Sequence, residues 1–227
     1  MKTFTPCFEI LPEAQKNLWP ELSPCKQTGF VLYGGTAIAL RLGHRSSVDF
    51  DFFSHLPLDE DKEKELLDAV PFLNHSEPIQ IAPNTRSYLT SDNVKLSFFG
   101  SIRLGRIGEP QDTHDGVLQV ASLNDLMAMK LATILQRVEA KDYMDIAAML
   151  RHRISLENGL SGAIALYGKQ FIPSESLKAL TYFQGGDLQI LTAMDKEVLL
   201  HAAREFSSFS SYELPQTKRL SEKLTGN

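Results

Sequence analysis

The sequence predicts an α+β fold, with strands concentrated in the first half of the chain and helices in the second. Three stretches carry that prediction. Residues 30–42 pass from the apolar run Phe30, Val31, Leu32, Tyr33 through Gly34-Gly35 into Thr36, Ala37, Ile38, Ala39, Leu40 and Leu42, which reads as strand, turn and helix. Residues 47–53 alternate, so that Val48, Phe50 and Phe52 share one face of a strand and Asp49 and Asp51 the other. From residue 122 onward, apolar residues recur at helical spacing.

A chain of 227 residues has room for a sizeable core in one large domain or two small ones. Its 43% hydrophobic and 22% charged residues are those of a soluble globular protein. A net charge of −5 and a pI of about 5.7 argue against polyanion binding by overall charge, so any RNA contact needs a local basic patch. Cys7 and Cys25 have no metal-ligand spacing and indicate no disulfide framework. Pro6, Glu9, Pro12 and Glu13 fall where a secretory segment needs an unbroken apolar run, and no stretch approaches the roughly 18 apolar residues of a membrane span. The expectation is a cytoplasmic protein with no membrane partner.

Taken in order, residues 11–22 suit a first helix ending near Trp19-Pro20. Beyond the alternating strand, residues 54–57 turn the chain and residues 59–70 form an amphipathic surface helix with acids in its first turn, where the macrodipole favours them. Residues 79–100 read as a hairpin, with strands over 85–90 and 94–99 and a turn at Ser91-Asp92-Asn93. Residues 100–117 read as a loop or a pair of short strands, with Arg103 and Arg106 solvated and His114 lacking any partner at metal spacing. In the helix over 122–138, Ser122 and Asp125 form a capping-box pattern, and Leu123, Leu126, Met127, Leu131, Ile134, Leu135 and Val138 make an apolar stripe. Lys130 falls inside that stripe, and an inward lysine either snorkels to the surface or meets an acidic or phosphate partner. Asp142 and Asp145 share one face of the next helix, where an N-cap and a first-turn acid need no chemistry. Further helices are expected over 155–168, 174–183 and 188–206, and residues 214–227 form a loosely held polar tail.

The chemistry concentrates in residues 34–51. At about 3.3 Å per residue, Asp49 and Asp51 lie roughly 6.6 Å apart with parallel side chains, close enough for both carboxylates to grip a divalent cation. A lone pair of this kind is also what two solvated aspartates on a half-exposed strand look like. The Gly34-Gly35 turn adds a second signal, because backbone N–H groups at a helix start approach anions closely when no Cβ intervenes.

The stretch GGTAIALRLGHRSSVDFDFF resembles the signature of the nucleotidyltransferase superfamily, and within it the AbiEii/AbiGii toxin branch of type IV toxin–antitoxin systems. Its GG-(S/T) turn, Arg-Ser run and D-x-D strand match in order and interval, and the resemblance covers roughly residues 30–150. It implies a nucleotidyltransferase-type mixed β-sheet with flanking helices over 1–120, and a helical C-terminal portion over 121–213 that completes the cleft. It further implies transfer of a nucleotidyl group from an NTP, with Mg²⁺ or Mn²⁺, to an acceptor such as a tRNA, and a separately encoded antitoxin as partner. Asp49 and Asp51 are the implied metal ligands and catalytic carboxylates. Gly34, Gly35, Thr36 and Arg45 are implied to hold the triphosphate.

The same resemblance extends to Lys130, Arg137 and the segment Lys141-Asp142-Tyr143-Met144-Asp145-Ile146, and implies that Lys130 neutralises the triphosphate and that Asp145 takes part in catalysis, with Asp142 as cap. Many nucleotidyltransferases place a third carboxylate on the strand here read as residues 94–99. That strand presents Lys95, Ser97 and Phe99 on one face, and Ser97 stands at the place of the acid. Two rival readings therefore stay open: a nucleotidyltransferase acting on a small molecule or protein, and a non-enzymatic nucleotide-binding descendant of the fold.

Overall fold

The structure is a computed structural model that describes residues 3–209 and 219–221. The described chain divides into two compact units: one runs to Gly105 and includes Glu109–Ala121 and residues 219–221, and the other comprises Arg106–Gly108 and the chain from Ser122 onward.

In the first unit the elements are β1 (Thr3–Phe4), α1 (Glu13–Leu18), α2 (Ser23–Gln27), β2 (Val31–Tyr33), α3 (Gly34–Leu42), β3 (Asp49–Phe53), α4 (Glu60–Ala69), β4 (Glu77–Ala82), β5 (Thr85–Leu89), β6 (Lys95–Phe99), β7 (Gln111–Thr113) and β8 (Gln119–Val120). The strands form one mixed sheet in the order β1-β7-β8-β2-β3-β6-β5-β4. β3 runs antiparallel to β2 and parallel to β6. Its register sets Asp51 opposite Tyr33 on one side and opposite Ser97 on the other, and sets Asp49 opposite Lys95.

Alternation along β3 sends Phe50 and Phe52 into the core and leaves Asp49, Asp51 and Phe53 half-buried on the other face. On the core side, Phe52 stacks on Phe98 at 5.1 Å between ring centroids, Phe30 meets Phe98 edge-on at 5.2 Å, and Trp19 approaches Phe50 at 6.4 Å. Each such buried ring contributes about 1.5–3 kcal/mol of apolar transfer. The indole N–H of Trp19 donates to Asp115 at 2.8 Å, so this large core ring leaves no buried donor unmet.

The second unit contains α5 (Leu123–Thr133), α6 (Ala140–Arg151), α7 (Leu156–Tyr167), α8 (Pro173–Thr181) and α9 (Ala193–Glu205). Ser122, Ser155 and Thr192 cap α5, α7 and α9 by accepting an N–H of the first turn at 3.1, 3.2 and 3.0 Å. α5 and α7 approach closely at Gly159, where a Cβ would come within 2.5 Å of Met127.

Several expectations are corrected. Val48 precedes β3 and is exposed, not part of its apolar face. The helix expected over 122–138 ends at Thr133, where the Thr133 hydroxyl donates to the Met129 carbonyl and the Leu135 and Gln136 amides close i−3 bonds; Leu135 and Val138 are exposed. The helix over 11–22 is interrupted, with a 3₁₀ turn Trp19–Leu22 after α1. The helix over 188–206 is a 3₁₀ turn Leu188–Ile190 followed by α9. The hairpin gains a third strand, β4, paired to β5 with a bulge between Pro78 and Gln80. Of residues 214–227, only 219–221 are described: Leu220 is buried and the Ser221 hydroxyl accepts from the His55 N–H at 3.0 Å. The remainder of that expected tail lies outside the described residues. Among the described residues, no helix is long and apolar enough to cross a membrane.

Candidate functional site

In the first unit, Gly34 leaves β2 with φ of +73°, and a Cβ there would sit 2.5 Å from the Asp51 Oδ2. Glycine is required twice over, by the left-handed backbone and by the carboxylate lying against it. The same contact places the carboxylate of Asp51 at the first turn of α3. Tyr33, the N-cap of α3, makes no side-chain cap bond, and the first-turn amides of a helix are groups that suit an anion.

Thr36 is buried, and its hydroxyl bonds Ser47 Oγ at 2.7 Å and the Asp49 carbonyl. Its side chain is thus committed to tying α3 to the approach of β3, and only its backbone faces the helix start. Arg45, half-buried between α3 and β3, donates to the Ser46 carbonyl at 3.0 Å. Arg41, not singled out in the sequence, donates to Gln111 Oε1 at 2.6 Å and to the Val120 carbonyl at 3.0 Å and lies over the Phe4 ring at 4.2 Å. Burial lowers its pKa to about 10. It anchors the outer strands, and a lone arginine at a helix end gives no sequence signal for that.

At the expected third-acid position, Ser97 is buried, and its hydroxyl accepts from Ser87 Oγ at 3.1 Å. Among the described residues no group of three or more His, Cys, Asp or Glu could hold a metal ion. The Asp49–Asp51 pair still fits a divalent cation of the Mg²⁺ type, which characteristically takes one or two protein carboxylates and completes its shell with substrate phosphates and water.

The other predicted residues, Lys130 and Asp145, belong to the second unit. Lys130 faces inward from α5 and meets acids, one of the two outcomes its position allowed: its ammonium lies 2.5 Å from Asp142 and 2.7 Å from Asp145. Arg137 closes the cluster with Nε 2.8 Å and Nη2 3.1 Å from the two Asp142 oxygens. Both aspartates are fully buried and Lys130 is buried between them, while Arg137 reaches Asp142 from an exposed position. Burial alone would raise the Asp142 pKa, but the Arg137 hydrogen bonds and the Lys130 charge outweigh it and hold this carboxyl below the usual range. The reading of Asp142 as N-cap is corrected, because Glu139 is the N-cap of α6 and Asp142 lies inside the helix.

The capping box at Ser122 is half-formed. Ser122 caps α5, but the Asp125 carboxylate takes the amides of Ile107 and Gly108 at 2.6 and 3.0 Å, with the Ser122 hydroxyl at 2.5 Å. Burial nevertheless pushes the Asp125 pKa up.

This sheet, with a glycine helix start beside a D-x-D strand, is a nucleotidyltransferase fold. A nucleotidyltransferase-like antigenic protein from Paracoccidioides brasiliensis is similar at a TM-score of 0.52 and 17% identity, over 87% of this chain and 94% of that one. The antibiotic-resistance factor ANT(2'')-Ia is similar at a TM-score of 0.50 and 14% identity, over 67% of this chain and 90% of that one. The chain belongs to the family described as nucleotidyl transferase AbiEii toxin of type IV toxin–antitoxin systems, which it matches over residues 26–218. It is also 34% identical over 127 residues to the uncharacterized protein aq_aa25 of Aquifex aeolicus; the match covers 54% of this chain and spans 58% of that relative's length.

Replacing Lys130 with Met removes the buried cation between Asp142 and Asp145, and urea denaturation is expected to show a loss of about 3–5 kcal/mol. Because the folded pKa of Asp142 is depressed, its contribution is present above the unfolded value of about 3.9 and is lost as pH falls through the folded value. Stability of the native chain should therefore decline more steeply from about pH 5 downward than that of Asp142→Asn, as equilibrium denaturation at stepped pH will report.

Proposed function

We propose that this chain is a metal-dependent nucleotidyltransferase that moves a nucleotidyl group from an NTP to an acceptor hydroxyl, with an RNA 3′ end of the tRNA kind as acceptor and a separately encoded antitoxin as its restraint. The observation that supports this reading is the close approach of the Asp51 carboxylate to Gly34 at the start of α3, where Tyr33 supplies no side-chain cap. Membership of the AbiEii family supports the reaction class and the toxin setting.

Each residue has a physical task. The amides at Gly34, Gly35 and Thr36, at the positive end of the α3 dipole, receive phosphate oxygens. Asp49 and Asp51 would hold Mg²⁺ or Mn²⁺, which would supply charge neutralisation and orient the transferred group. Arg45, in the connection from α3 to β3, adds a cation beside the phosphates. In the helical unit Lys130 is already balanced by Asp142 and Asp145, and that cluster holds its charge in place.

A binding-only reading is favoured by one observation: Ser97, occupied by Ser87, cannot accept a proton as the missing acid would. The two readings separate in one assay. Native protein incubated with each labelled NTP, Mg²⁺ or Mn²⁺ and total cellular RNA is expected to move label into RNA, while Asp49→Ala/Asp51→Ala falls by at least about 10³-fold. Label appearing on small acceptors or protein instead redirects the acceptor assignment. Metal-dependent NTP binding with no transfer to any acceptor supports the binding module.

A further inference from the structure

The strand order assigns two different flanks to the carboxylate pair. β3 lies between β2 and β6, and α3 starts directly from β2, so the glycine helix start borders Asp51 on the β2 side. On the β6 side, about 4.8 Å away across the ladder, Lys95 is in register with Asp49 and Ser97 with Asp51. In-register neighbours of a parallel pair project from the same face, and the contact of Phe53 with Phe99 at 5.1 Å one step further along confirms it.

Continuing outward through that face, the register brings Leu89 opposite Lys95 and Glu77 opposite Leu89, and Ser87 opposite Ser97 with Gln80 beyond it. Lys95 is the one cation among these positions on the face shared by β3, β6, β5 and β4. It is half-buried, and among the described residues no hydrogen bond or ion pair engages its ammonium. The nearest charged register partner, Asp49, does not capture it.

We propose that Lys95 is the acceptor-side residue of this site, binding a phosphate of the acceptor next to its attacking hydroxyl. The inference rests on the transferase site proposed above. With the triphosphate on the β2 flank, the acceptor must approach the Asp49–Asp51 pair from the β6 flank, since the attacking oxygen and the leaving group lie on opposite sides of the transferred phosphorus. There a third carboxylate would repel a phosphate, whereas Lys95 attracts it, and Ser97 adds no charge. Lys95, on the same face as the serine that stands at the acid's position, thereby selects phosphate-bearing acceptors over neutral or cationic ones. A merely solvated lysine, or one that only relieves repulsion between Asp49 and Asp51, would show no such selectivity.

The test uses the full-length native protein, Lys95→Met and Lys95→Arg, with equilibrium binding read by fluorescence anisotropy and no turnover required. The probes are an oligoribonucleotide ending in a 3′-hydroxyl and the same oligonucleotide with a neutral methylphosphonate at its terminal linkage. A nucleoside 5′-monophosphate and its parent nucleoside, read by competition, distinguish a small phosphorylated source from a polymer. Lys95→Met is expected to weaken the natural probe about tenfold and to lower its salt slope by about 0.7, to lose no further affinity for the methylphosphonate probe, and to bind NTP as the native protein does. Lys95→Arg should recover most of the loss. Equal weakening of both oligonucleotides, unchanged binding of the natural one, or no phosphate-dependent binding by the native protein at low salt would overturn the proposal. Failure of label transfer by a native protein that still shows the Lys95-dependent phosphate preference would instead sink the transferase reading alone.

Discussion

The pairing register of β3 is the constraint on which the rest of this molecule depends. It is fixed from one side by the rings of Phe50 and Phe52 in the core and from the other by the fit of Asp51 against a residue with no Cβ, Gly34. A slip of one residue would drive two carboxylates into the apolar layer and expose two phenylalanines, a change whose cost is comparable to the whole stability margin of a domain. The same register that protects the core therefore specifies which side chains meet on the opposite face: Asp49 with Lys95, Asp51 with Ser97 and Tyr33. Packing on one face of a strand positions charge on the other.

Much of this was legible in the sequence because it is written at short range. The strand, glycine turn and helix at residues 30–42 and the alternation at 47–53 depend on neighbours two to four positions apart, and the structure has β2, α3 and β3 there. The hairpin strands and the first-turn acids of the residue 59–70 helix are of the same kind, with Asp59 accepting from Lys62 N–H at 3.0 Å as its cap. What sequence did not provide was register between distant strands. That Lys95 sits beside Asp49, and that Ser97 is occupied by Ser87, are facts of strand pairing that no local pattern encodes. Helix ends failed where local hydrogen bonding overrode an apolar pattern, as at Thr133.

The helical unit follows a different logic. An inward lysine in an apolar stripe was a visible anomaly, but its resolution required a second helix: Asp142 and Asp145 on α6 surround it, and Arg137 in the connection satisfies the remaining oxygens. The desolvation of Lys130, Asp142 and Asp145 offsets much of what such a cluster contributes to net stability. Its value lies in specificity, because each charge tolerates only this arrangement. The motif that resembles a catalytic signature is thus also a structural lock, and loss of activity on its mutation does not by itself distinguish the two.

The proposed activity depends on Asp49 and Asp51 acting as a cation site that is completed by a nucleotide. Electron paramagnetic resonance of Mn²⁺, titrated into the protein with and without a non-hydrolysable NTP analogue, tests that most directly. The prediction is weak binding of Mn²⁺ alone, a tight ternary complex once the analogue is present, and loss of that complex in Asp51→Asn. Tight Mn²⁺ binding that ignores the nucleotide, or a ternary complex that survives Asp51→Asn, would contradict it.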